Sequence, residues 1–321
     1  MPLHERALIA RLHRSARTGR DIVTGIGDDA AVLRIPRGHE ALVTTDFSLE
    51  GIHFRRDWHP PESVGHRCLA RGLSDIAAMG GKPVAAFLSL ALPRKLPQAW
   101  VDRFMRGLLH LADHFGVALA GGDTAESPGG ILADIVVLGS VPRGKALLRS
   151  RARPGDRLYV SGALGAAAAT LQKLRHSGHK LDPKQFPEHF FPIPRIALGR
   201  RLREKRLASA MIDLSDGLST DLGHICEESG VGAEVNGAAL PLARIGNPLR
   251  EVDLHFALHG GEAYELLFTA PAHKPVPHTL AGVPITAIGT ITRRRGVVLQ
   301  RPDGTRCRLQ PRGWEHFANR K

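Results

Sequence analysis

Residues 62–80, ESVGHRCLARGLSDIAAMG, followed after a short break by AAFLSLALP at 85–93, decide the fold class. In the first stretch Val64, Cys68, Leu69 and Leu73 recur at helical spacing, with Ile76 and Met79 near the same face, which predicts an amphipathic helix. The second stretch is a short apolar run and predicts a buried strand. Upstream, ALVTTD at 41–46 is another apolar run ending in polar residues, and His4–Arg17 has the spacing of a short amphipathic helix. Downstream, a predicted helix from about Gln98 to His114 leads into VALAGGDT (117–124) and ILADIVVLGSV (131–141), two strand-like runs bounded by turn residues. Helix and strand alternate, which is the signature of an α/β (α+β) chain.

A boundary is expected near 145–155, where RSRARPGD is charged and holds Pro154-Gly155. It divides the chain into two α/β units of similar size, 1–148 and 149–321, without an exact repeat. The second begins with the strand-like LYVSG and the Ala-rich, helix-like GAAAATLQKL. A polar, proline-rich stretch follows from His176 to Pro194 and reads as a loop or surface excursion. Helix and strand patterns then alternate through 195–207, DLSDGLSTDLGHICEESG, 255–269 and 283–291.

Composition narrows the function classes. The chain has 321 residues, 43% of them hydrophobic, enough for substantial cores and against wholesale disorder. No apolar run approaches the ~18 residues of a membrane span, and the first residues lack a secretory apolar region. Cys68, Cys226 and Cys307 are isolated, with no CxxC, which points to a reducing cytoplasm and against a disulfide framework or a cysteine zinc site. The formal charge of +13 raises nucleic-acid binding. The basic clusters at 200–206 and 293–295 carry no interleaved aromatics and no recognisable reading motif, so a solvated basic surface is the simpler account.

The acidic residues are more informative. Asp28 and Asp29 lie in GIGDD, Asp46 in TTD, Asp75 in LSD, Asp123 in AGGDT, and Asp213 and Asp216 in IDLSDG. Several follow apolar runs and are flanked by Gly, Ser or Thr. A carboxylate at a strand end is costly if buried alone, so it must be exposed, capped or bound to a cation. Any one of these is also the pattern of a helix cap or turn residue. Repeated over five segments, they suggest a shared site for magnesium and phosphates. Asp213 and Asp216 are three residues apart, so a helical segment would set them on neighbouring positions of one face, with Ser215 as an alternative cap. Asp221 is a further candidate, with a first-turn surface residue as the simpler reading. The chain lacks GxxxxGK[ST], GxGxxG and the HRD/DFG set of the common nucleotide-binding classes.

With these segments in view, the chain resembles the thiamine-monophosphate kinase family, within the larger aminoimidazole ribonucleotide synthetase-like superfamily. The resemblance runs through GIGDDAAV (25–32), TTDFSLEGIHF (44–54), GLSDIAAMGGKP (72–83), AGGDT (120–124), RARPGD (151–156), IDLSDGLSTDLGHI (212–225), GGEAYELLFT (260–269) and GWEHF (313–317). It implies the two-domain aminoimidazole ribonucleotide synthetase-like fold and ATP-dependent phosphorylation of thiamine phosphate. The N-terminal domain would bind metal and nucleotide and make a homodimer through its sheet, and the C-terminal domain would complete the site. The resemblance further implies magnesium ligation by Asp29, Thr44, Thr45, Asp46, Asp75, Asp123, Asp213 and Asp216. It gives Gly122, Asp123, Arg149 and Ser215 to ATP, and His53, Glu262 and Trp314 to thiamine phosphate.

Taken without the resemblance, Trp314 is equally a closing core residue, His53 a loop histidine and Glu262 a surface carboxylate. Arg149 has the planar donors suited to phosphate. The acceptor would be a phosphate oxygen, so direct in-line transfer with neither covalent nucleophile nor required general base is expected. Where the family pattern has Gly-Glu-Asp-Tyr-Glu, this chain has GEAYE, with Ala263 in place of Asp. Restoring the carboxylate is expected to preserve folding and change the kinetics. The rival readings are another ATP-dependent enzyme on the same scaffold and a noncatalytic polyanion-binding protein. No specific nucleic acid and no membrane is expected as a partner.

Overall fold

The computed structural model describes residues 1–16, 19–178, 180–314 and 317. Its contacts divide the chain into two units: one of residues 1–76, 81–144 and 190–192, the other of 77–80, 145–189 and 193–321.

The first unit opens with α1 (Glu5–Ser15), β1 (Ile22–Thr24) and β2 (Val32–Leu33), followed by β3 (His39–Leu49), α2 (Pro61–Ala78), β4 (Lys82–Pro93), α3 (Gln98–Phe115), β5 (Ala118–Ser127) and β6 (Leu132–Pro142). Arg17, the expected end of the first helix, lies outside the described residues. β3 to β6 form a four-stranded sheet in the order β3-β6-β4-β5. β4 and β5 are parallel and joined through α3, as a parallel pair requires, and the other pairings are antiparallel. Val64, Cys68, Leu69, Leu73 and Ile76 of α2 are all buried, as their spacing predicted. α2 covers the sheet face that carries Thr44 and Val137, since a Cβ on Gly72 would stand 2.6 Å from the Val137 side chain and 3.6 Å from that of Thr44. α2 and α3 meet backbone to backbone: a Cβ on Gly65 would lie 1.9 Å from the Phe104 carbonyl oxygen, and one on Gly107 1.9 Å from that of Glu62. The opposite sheet face leaves Val43 67% and Phe47 55% exposed.

The second unit runs through β7 (Arg157–Ser161), α4 (Ala166–Ser177), α5 (Pro187–Phe190), α6 (Ile196–Glu204), β8 (Ala210–Asp213), α7 (Leu218–Ser229) and β9 (Gly232–Asn236). It continues with β10 (Arg244–Ile245), β11 (Arg250–Glu251), α8 (Leu254–His259), β12 (Leu266–Ala270), β13 (Thr279–Leu280), β14 (Val283–Thr292), β15 (Gly296–Gln300) and β16 (Arg306–Arg308). Its main sheet has the order β16-β15-β9-β14-β7-β12-β8, with β13 paired to β14. Leu158, Val160, Ile212, Leu222, Ile225, Leu267 and Ile288 lie at the heart of its core. The proline-rich stretch is more ordered than its composition suggested: it contains α5, and His189 is buried with its Nδ1 3.0 Å from the Ala167 carbonyl oxygen. The basic cluster of α6 is partly neutralised at Glu204, which pairs with Arg200 and Arg201.

His66 of α2 ties the first unit to its own outlying residues. Its Nε2 donates to the Pro192 carbonyl at 2.7 Å, and its ring meets Phe191 edge-on. Burial pushes its pKa down to about 4; the Pro192 carbonyl opposes the shift, and His110, Arg67 and His114 add to it. The unfolded chain therefore binds the extra proton between pH 6.5 and about 4. The stability from this group is complete above pH 6.5 and is lost as pH falls through that window, at most about 3 kcal/mol. His66→Gln keeps a donor for Pro192 and should flatten the acid limb of a urea-unfolding pH series. An acid limb as steep as the parent's would assign it to other groups.

Candidate functional site

In the first unit, strand alternation sends Thr44 and Asp46 of β3 toward α2, where Asp75 stands. Thr44 Oγ1 donates to Asp75 Oδ2. Asp46 is half-buried, and its pKa is pushed up to about 7, first by burial and then by the Asp75 charge, with Arg71 opposing. Two carboxylates thus share one pocket without enough positive charge to keep both comfortably ionised.

Thr45 faces the other way and donates to Asp134 Oδ1 at 2.7 Å. On that open face the strand register lines up Phe47, Asp134, Ser89 and Asp123 across the sheet. Asp123 is exposed, and its carboxylate accepts the Thr124 amide at 2.8 Å. Gly122 before it has φ +150°, and a Cβ there would lie 1.9 Å from the Leu88 carbonyl oxygen, so only glycine lets β5 run this close to β4. Asp29 is exposed, its amide bonded to the Asp28 carboxylate at 2.9 Å. His53 Nδ1 accepts the Leu49 amide at 3.0 Å. An amide can only donate, so the ring proton sits on Nε2.

In the second unit, three segments distant in sequence are joined through backbone hydrogen bonds. The Glu262 amide donates to the Ser215 carbonyl at 2.8 Å, that of Tyr264 to Leu214 at 2.9 Å, and that of Trp314 to Asp216 at 3.2 Å. Asp213, Ser215, Asp216, Glu262 and Trp314 are thereby assembled. Asp213 and Asp216 do not share a helical face: Asp213 ends β8, and α7 starts only at Leu218 after Gly217 at φ +116°. That glycine, not Ser215, is the N-terminal cap residue. Asp221, buried at 1% exposure, is no surface residue: its carboxylate accepts the amides of Gly217 at 2.9 Å and Asp216 at 3.2 Å. Burial and the charges of Asp213 and Asp216 push its pKa up to about 8. Ligand atoms of Asp216, Asp221 and His224 all lie within 4.8 Å of one another.

Arg149 lies in a 3-10 turn with an exposed side chain, its carbonyl accepting from Ser229 at 2.7 Å. Glu315 and His316 of GWEHF lie outside the described residues. Asp134 and His224 escaped the sequence reading; the signal for Asp134 was a lone charge inside the apolar run ILADIVVLGSV.

Ala263 points inward. It is half-buried and packs against the core of the second unit. A carboxylate there would lose solvation, so A263D should cost about 1–3 kcal/mol of stability in urea unfolding. A variant as stable as the parent would show that the loop turns its side chain outward.

The AIR synthase related protein N-terminal domain model matches residues 27–141, and the corresponding C-terminal domain model matches 153–301. Thiamine-monophosphate kinase of Escherichia coli K12 is 40% identical over 332 residues, covering 99% of each chain. The crystal structure of thiamine-monophosphate kinase from Stenotrophomonas maltophilia K279a aligns with a TM-score of 0.81 at 39% identity, over 95% of this chain and 98% of that one. AaThiL complexed with AMPPCP and TMP aligns with a TM-score of 0.77 at 32% identity, over 98% of this chain and 97% of that one. By near-complete coverage at this identity, and by two domains of the AIR synthase-related type, the chain belongs to the thiamine-monophosphate kinase family.

Proposed function

We propose that the chain transfers the γ-phosphoryl group of ATP to thiamine phosphate, giving ADP and thiamine diphosphate. The observation that carries the reading is the joining of the Asp213–Asp216 turn, the Glu262 loop and Trp314 in one unit. That constellation offers oxygen donors for a cation, a carboxylate for a positively charged ring and an indole face for stacking.

Magnesium fits the residues present. Asp46 with Asp75, and Asp221 with Asp213 and Asp216, are hard oxygen donors whose mutual repulsion a cation relieves. The proposed ligands are Thr44, Asp46 and Asp75 beside α2, Thr45, Asp123 and Asp134 on the opposite sheet face, exposed Asp29, and Asp213, Asp216 and Asp221 in the second unit. When bound, Mg2+ supplies positive charge that lets one phosphate approach another. Gly122 brings bare backbone to ATP, with Asp123, Arg149 and Ser215 around it. His53, Glu262 and Trp314 contact thiamine phosphate, with Glu262 at the thiazolium charge and Trp314 stacked on a ring. The second ionisation of a phosphate monoester lies near pH 6, so the attacking oxygen is already anionic at neutral pH. No side chain has to remove a proton, and none has to form a phosphoenzyme. Residues 1–148 are proposed as a metal- and nucleotide-binding N-terminal domain and 149–321 as a C-terminal domain that completes the site.

ATP should raise the melting temperature in the presence of Mg2+ and do so far less in EDTA. Equal shifts in both would remove the metal from the reading.

A homodimer through the open sheet face is part of the proposal, because Val43 and Phe47 are too exposed there for a face meant for water. Phe47→Glu should convert a dimer to a monomer in light scattering. A parent that is already monomeric would exclude the dimer. Among the described residues, no helix is long and apolar enough to cross a membrane. The cysteines Cys68, Cys226 and Cys307 are free thiols, which agrees with a cytoplasmic setting.

A further inference from the structure

The loop that carries Glu262 is held in a conformation that side chains resist. Glu262 has φ +62° and Tyr264 φ +50°, both in the left-handed region and neither a glycine. Such backbone persists only when its surroundings fix it from more than one side. One side is the Leu214–Ser215 backbone, against which the loop lies so closely that a Cβ on Gly261 would stand 2.4 Å from the Ser215 carbonyl oxygen.

The other side is a part-buried ion pair at the loop's foot, with the Arg195 side chain 26% exposed. Glu265 is only 5% exposed. Its Oε2 accepts from Arg195 Nε at 2.8 Å, its Oε1 accepts from Arg195 Nη2, and Ser161 Oγ donates to Oε2. Ser161 Oγ in turn accepts the Leu266 amide at 2.8 Å, which locks the start of β12 to the same cluster. Gly162, at φ +61°, makes the room: a Cβ there would come within 2.0 Å of Glu265 Oε1. The Glu265 carbonyl also accepts the Leu214 amide at 2.8 Å, so the clamp and the Asp213–Asp216 turn meet in one residue.

A buried salt bridge adds little net stability over apolar groups of the same shape. What a forked guanidinium on a carboxylate does add is direction. We propose that Arg195 is a positioning residue for the kinase reaction: through Glu265 it holds the 261–264 loop so that Glu262 faces the acceptor. The role of Glu262 rests on the proposed function; the clamp on the loop does not.

The test replaces the pair with apolar groups of similar length, Arg195→Met together with Glu265→Met. Unfolding in urea reads stability, amide hydrogen exchange at Glu262 and Tyr264 reads the loop, and steady-state kinetics with Mg-ATP and thiamine phosphate read the site. The expected double variant folds, exchanges those two amides roughly tenfold faster, and shows a roughly tenfold higher KM for thiamine phosphate with KM for ATP nearly unchanged. A folded double variant with the parent's exchange and KM overturns the proposal. So does a KM defect that appears only in proportion to lost stability, which would make the pair merely structural. If the double variant does not fold, Glu265→Gln keeps the shape and weakens the fork. Its loop amides and acceptor KM should move in the same direction, and parent-like values overturn the proposal equally. The exchange measurement needs no turnover, so a parent chain without kinase activity would refute the proposed function while leaving the clamp to be judged separately.

Discussion

Asp46→Asn should lower turnover by at least about a hundredfold and, above pH 7, make the metal-free protein more stable than the parent. The two effects have one cause. Asp46 titrates near 7 in the folded chain against an ordinary value of 3.8, because burial and Asp75 disfavour its charge. The folded state therefore holds the extra proton between these limits. Stability from this group is fully present below pH 3.8 and is lost as pH rises through about 7. At pH 8 the parent bears the cost of two neighbouring carboxylates, on the order of 2 kcal/mol once solvent screening of a half-buried group is allowed for. Asparagine keeps the shape and removes the repulsion, and with it the attraction for a cation. Mg2+ should accordingly raise the parent's melting temperature at pH 8 and much less at pH 5, and raise the variant's at pH 8 by less than the parent's. A variant that keeps parental turnover, or a parent whose melting temperature ignores Mg2+ at pH 8, would take Asp46 out of the metal site.

Asp123→Asn is the second large effect: turnover down roughly a hundredfold with the circular dichroism spectrum and melting temperature unchanged. Asp123 is exposed within β5 on the open face, and its carboxylate accepts the Thr124 amide next to it. Substituting an exposed side chain with an isostere costs a few tenths of a kcal/mol at most. A loss of activity can then be assigned to ligand binding. The neighbouring Gly122 is a different case, since any side chain there drives into the Leu88 carbonyl and moves the strand itself. Near-parental turnover of Asp123→Asn at limiting Mg2+ would refute its assignment, and a matching loss of helical signal would make the residue structural.

How far the site could be read from sequence follows from which interactions are local. The helix at 62–80 was legible because its buried residues recur on one turn-by-turn pattern, and it is observed as Pro61–Ala78, closing before Gly80 at φ +66°. The resemblance groups Thr44, Thr45 and Asp46 in one metal set, but strand alternation turns Thr45 to the opposite face, and nothing in the sequence says that Asp134 lies across from it. That pairing is made by register between strands some ninety positions apart. The same limit hid the second cluster. Asp213, Ser215, Glu262 and Trp314 come from three segments, and backbone hydrogen bonds, which leave no trace in residue type, join them. Helical spacing failed at Asp213 and Asp216 because Gly217 delays the helix, and the stretch 255–269 breaks at Gly260-Gly261 into α8, a loop and β12. Asp221 looked like a surface residue of a first helical turn, yet the turn before it folds back and buries its carboxylate.

The most direct measurement is a single-turnover reaction of the purified chain with thiamine phosphate in excess over Mg-ATP, with ADP and thiamine diphosphate quantified together. The account predicts equal amounts of the two products, formed only when Mg2+ is present and lost in Asp46→Asn and Asp123→Asn. ADP formed without thiamine diphosphate, or neither product from folded protein that binds Mg-ATP, would contradict it.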